Sequence, residues 1–76
     1  MVKSFKIVVS GQVQGVGFRP YVYTLAQQMN LTGTVSNNEE GVLILLTGGQ
    51  EVIADFYHSL IENPPPLARI DNHTMV

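Results

Sequence analysis

The 76-residue chain has room for one hydrophobic core, and 45% apolar with 13% charged residues marks a folded domain rather than a disordered tail. Four Lys plus Arg against six Asp plus Glu give a net charge of −2, which argues against a broad footprint on nucleic acid or an anionic membrane. Without cysteine there is no disulfide, thiolate nucleophile or cysteine metal ligand. The apolar run Ile7 to Val9 is far too short for a signal peptide or a membrane span, so a soluble cytoplasmic domain is expected.

Lys3 to Ser10 reads as a strand, with Phe5, Ile7 and Val9 at period two. It runs into Gly11-Gln12-Val13-Gln14-Gly15-Val16-Gly17-Phe18-Arg19-Pro20, where glycines permit positive φ and Pro20 suits the first position of a helix. A helix start leaves its first amides unpaired and carries partial positive charge. The amides from Gly15 to Arg19, with the Arg19 guanidinium beside them, therefore form a candidate cradle for a phosphate-like oxyanion. The glycine spacing G-x-x-x-G-x-G is not that of a dinucleotide fingerprint.

A first helix is predicted from Arg19 or Pro20 to about Asn30, with Val22, Leu25, Ala26 and Met29 on its buried face and Asn30 and Gly33 as stop signals. Gly33 to Asn37 gives a short second strand, turning through the solvated Asn38-Glu39-Glu40-Gly41. Val42 to Leu46 is a continuous apolar run, predicted to be a central strand buried on much of its surface and the segment most prone to aggregate. A second helix covers about Gln50 to Glu62, with Ile53, Phe56, Tyr57 and Leu60 at helical spacing and Thr47-x-x-Gln50 at capping-box spacing. Asn63-Pro64-Pro65-Pro66 ends it. Ala68 to Val76 is the final edge strand, with Ile70, Thr74 and Val76 on one face.

The order βαββαβ packs most economically as an α+β, ferredoxin-like sandwich: a four-stranded antiparallel sheet with two helices on one face. A right-handed first crossover makes strands one and two parallel, with strand three between them. The Gly15–Arg19 loop and Asn37 then lie at the same end of the sheet, about 10 Å apart at their roots.

Gly11-x-Val13-Gln14-Gly15-Val16-x-Phe18-Arg19 resembles the first signature of the acylphosphatase family, and Gly33-x-Val35-x-Asn37-x-x-x-Gly41 resembles the second. The resemblance implies hydrolysis of a carboxylic–phosphoric anhydride without metal or organic cofactor. It implies a phosphate-binding set of Gln14, Gly15, Val16, Gly17, Phe18 and Arg19, and a catalytic pair of Arg19 and Asn37, in which Asn37 orients the attacking water. Two further runs, Phe18 to Ala26 and Pro65-Pro66-Leu67-Ala68-Arg69-Ile70-Asp71, are similar to the N-terminal domain of the hydrogenase maturation carbamoyltransferases, the HypF family. That similarity implies a fragment of a larger multidomain protein, lacking the usual last strand of an acylphosphatase domain. It implies carbamoyl phosphate as substrate, and the remaining domains and hydrogenase maturation proteins as partners.

Thr34 and Ser36 depart from stand-alone acylphosphatases, which typically carry an aromatic and a basic residue there, and Leu43 replaces the usual valine. These departures motivate a second reading, a non-catalytic phosphate-binding or domain-docking module. RNA binding on the sheet would need exposed aromatics on its central strands and a basic face, but Val42 to Leu46 has no aromatic and the net charge has the wrong sign. His58 and His73 lack ligand spacing, so no metal site is expected.

Overall fold

The computed structural model describes residues 2–76, Val2 through its backbone alone. Its elements are β1 (Val2–Gln12), α1 (Phe18–Gln28), β2 (Thr32–Asn38), β3 (Gly41–Gly49), α2 (Gln50–Glu62) and β4 (Arg69–Met75). The strands form one antiparallel sheet in the order β2-β3-β1-β4, so β1 and β2 run parallel with β3 between them. This is the ferredoxin-like arrangement that the element order predicts.

Period-two patterning decides which face the helices cover. Ile7 and Val9 of β1 lie opposite Ile44 and Val42 of β3, and all four are fully buried. They share a core with Val22 of α1 and Ile53, Phe56 and Leu60 of α2. No polar side chain is buried among the described residues. The buried phenylalanine and leucine carry large transfer and cavity terms, about 2–5 kcal/mol each on truncation to alanine.

Four details differ from the sequence expectation. First, β3 is buried on one face only: Leu43 is half-buried and Leu45 is 43% exposed. Both helices pack on the opposite side, and a continuous apolar run does not reveal how many layers cover it. Second, α1 starts at Phe18, capped by Gly17, so Pro20 occupies its third position. That site is still within the first turn, where the missing N–H costs nothing. Third, Thr47 and Gln50 form no capping box; Gly49 caps α2 without a side-chain bond, and the Thr47 hydroxyl meets that of Ser4 across the sheet at 3.3 Å.

Fourth, Ser10 pairs with Asn72 but Gly11 with Ile70, so Asp71 is an extra residue bulged out of β4. The bulge resets the alternation, placing Ile70 on the same face as His73 and Met75, opposite Thr74 and Val76. Arg69 braces it, with Nε donating to Asp71 Oδ1 at 3.0 Å.

Candidate active site

The β1–α1 connection is pinned at both ends by core side chains. Val13 and Phe18 are buried, Val16 packs half-buried against the same core, and Gln14, Gly15 and Gly17 are exposed. Gly15 and Gly17 adopt φ of 74° and 79°, with Val16 at negative φ between them. Alternation of this kind turns successive amides toward one concave side, a nest for an anion. A Cβ on either glycine would meet nothing within 4 Å, so the space beside the loop is open.

The amides in this loop are unspent. Tyr21 N–H donates to Gly17 O at 3.2 Å, which closes the first turn of α1. Among the described residues, no hydrogen bond takes the amides of Gly15, Val16, Gly17, Phe18 or Arg19. Arg19 is exposed, forms no ion pair among the described residues, and has no acidic residue in its helical turn. Five donors and a free guanidinium thus gather where the helix dipole is positive.

Asn37 stands at the same end of the sheet. It pairs with Val42, which pairs with Val9, and both valines are fully buried on the helix side. Asn37 therefore belongs to the face over which the loop lies, two strand spacings or about 10 Å away at its root. The strand register places the β1–α1 loop and Asn37 at the same end of the sheet, and the side chains of Arg19 and Asn37 are both exposed there.

Gln14 is placed differently from the rest of the predicted phosphate set. Its side-chain amide points to the β2–β3 hairpin, with Nε2 donating to Asn38 O and to Gly41 O, each at 3.5 Å. Asn38 has a role that the sequence reading missed: its Oδ1 accepts from the amides of Glu40 and Gly41, both at 2.9 Å, and closes the turn. An asparagine three residues before glycine at a strand end was the available signal. Glu39 and Glu40 are exposed at the hairpin tip. Thr34 and Ser36 pair with Leu45 and Leu43, which puts both on the uncovered face of the sheet, away from the cradle.

The chain matches the acylphosphatase family over residues 5–75 and belongs to that family. It is thus an acylphosphatase-type hydrolase domain. It is 48% identical over 71 residues to the carbamoyltransferase HypF of Synechocystis sp., covering 93% of this chain and 9% of that protein. It superposes with a TM-score of 0.96 on full-length HypF in a phosphate- and nucleotide-bound form, at 41% identity, covering all of this chain and 10% of that one. The acylphosphatase of Bacillus subtilis gives a TM-score of 0.86 at 30% identity, and this chain covers 83% of it. The chain therefore spans about a tenth of the length of the carbamoyltransferases it resembles.

Proposed function

We propose that this domain hydrolyses acyl phosphates and that its substrate is carbamoyl phosphate, cleaved by water to carbamate and phosphate. The observation that carries the reading is a loop whose amides, like the adjacent Arg19 guanidinium, have no partner among the described residues, at the end of the sheet where Asn37 lies. Phosphoryl transfer asks mainly for positioning and charge stabilisation, and those groups supply both. The amides and Arg19 hold the phosphoryl oxygens. Asn37 accepts from and donates to the water that attacks phosphorus in line, as an amide can without acting as a base. The bond from phosphorus to the carbamate oxygen breaks, and the proton of the water passes to a phosphate oxygen.

The choice of acyl group rests on the sequence similarity to HypF, at 48% identity against 30% to the stand-alone acylphosphatase of Bacillus subtilis. On this reading the domain is the N-terminal part of a longer carbamoyltransferase, completed by a further strand. It supplies carbamate for carbamoyl transfer during [NiFe]-hydrogenase maturation. Thr34 and Ser36 lie on the uncovered face of the sheet, so their departure from stand-alone acylphosphatases does not touch the cradle.

Phosphate release from carbamoyl, acetyl and benzoyl phosphate tests the proposal. Arg19→Ala and Asn37→Ala should each lower turnover by about 10²–10³ with the fold intact, the range for removing a donor aimed at developing charge. Full turnover by folded Arg19→Ala would exclude it, and a preference for acetyl or benzoyl phosphate would overturn the choice of acyl group.

A further inference from the structure

We infer that Gln14 is a positioning residue, a strut that sets the separation between the phosphate cradle and Asn37, rather than a side-chain ligand of phosphate; the inference rests on the hydrolase reading of the site. Asn38 and Gly41 are the closing pair of the β2–β3 ladder, and Asn37 is the residue immediately before it. Gln14 Nε2, which carries two donor hydrogens, lies 3.5 Å from the carbonyl oxygens of both members of that pair. Gln14 itself precedes the first left-handed glycine of the cradle. One side chain thus links the element that holds the anion to the element that holds the water.

The hairpin end of this link is stiff. Asn38 Oδ1 ties down the amides of Glu40 and Gly41. Gly41, at φ 141°, presses so closely on β1 that a Cβ there would lie 2.1 Å from Val9 O. The cradle end is anchored by Val13. Between two fixed bodies, the 3.5 Å contacts are long for N–H···O bonds, as catalytic hydrogen bonds often are until a ligand closes the site. No other side chain among the described residues hydrogen-bonds across this gap.

The test is a double-mutant cycle with benzoyl phosphate as substrate and inorganic phosphate as competing ligand. Gln14→Met keeps the length of the side chain and removes both donors; because the site is exposed, the fold should survive. We expect kcat to fall about tenfold while the inhibition constant of phosphate stays within about twofold. In an Asn37→Ala background, Gln14→Met should cost nothing further, since the strut acts through Asn37. Gln14→Glu, which turns a carboxylate toward two carbonyls, should lower kcat more than Gln14→Met.

A loss of phosphate affinity that matches the loss of kcat would make Gln14 a phosphate ligand and overturn the inference, as would additive losses in the double mutant. The hydrolase reading fails separately, if the parent chain releases no phosphate or if Arg19→Ala leaves turnover intact. In that case amide exchange still decides on the strut. Gln14→Met should speed exchange at Glu40 and Gly41 and leave Val42 to Leu46 unchanged, and unchanged hairpin exchange would overturn it.

Discussion

The two glycine-containing turns at the active end of the sheet use their backbone donors in opposite ways. In the β2–β3 hairpin, Asn38 takes up the amides of Glu40 and Gly41. In the β1–α1 loop, the amides from Gly15 to Arg19 have no protein partner among the described residues, and two glycines hold them in an arrangement that ordinary residues resist. One turn is satisfied and rigid, and the other is prepared for a guest. The proposed function draws on the second, because free donors in a fixed backbone cost no reorganisation when an anion arrives.

The largest way to break this contrast is to release the loop from the core. Phe18→Ala should destabilise the domain by about 3–5 kcal/mol, a large part of the stability of so small a fold, measured as a shift of the urea midpoint. A loss below about 1 kcal/mol would mean that the loop is not held by its anchor. Gly17→Ala tests the backbone rather than the anchor. It meets no neighbour but places an L-residue at φ 79°, so about 1–2 kcal/mol of stability should be lost, with weaker phosphate binding as the loop relaxes.

Asn38→Ala breaks the satisfied turn. It should cost about 0.5–1.5 kcal/mol and speed amide exchange at Glu40 and Gly41, while phosphate affinity is retained.

Away from both turns, burial holds the Tyr21 and Tyr57 hydroxyls above their ordinary value of 10.0. Tyr21 donates to Ser59 O at 3.4 Å, joining the helices, and Tyr57 shares a hydrogen bond with His73 of β4. As pH rises past 10.0, the unfolded chain gives up phenolic protons that the folded chain keeps. Their stabilising contribution is therefore complete below pH 10 and lost above it. The urea midpoint should fall as pH rises past 10.0, and less steeply in Tyr21→Phe. An equal slope in that variant would remove Tyr21 from the account.

Much of the site was legible because it is local. The run from Gly11 to Pro20 carries its own turn, helix start and cation, and Asn37 needs only the parallel relation of β1 and β2 to be brought level with it. The features that escaped depend on partners distant in sequence. The bulge at Asp71 is a matter of register with β1. Thr47 leaves a capping box for the hydroxyl of Ser4, 43 residues away. The one-sided burial of β3 follows from where both helices pack, and the destination of the Gln14 amide from where the hairpin closes. Spacing reveals which residues share an element, but not what a side chain meets across the fold.

Titration of the isotopically labelled domain with inorganic phosphate, followed by amide chemical shifts, tests the central claim most directly. The account predicts saturable shifts of the Gly15, Val16, Gly17, Phe18 and Arg19 amides, lost in Arg19→Ala, with those of Glu40 and Gly41 nearly still. Shifts centred elsewhere, or a titration that Arg19→Ala leaves unchanged, would contradict it.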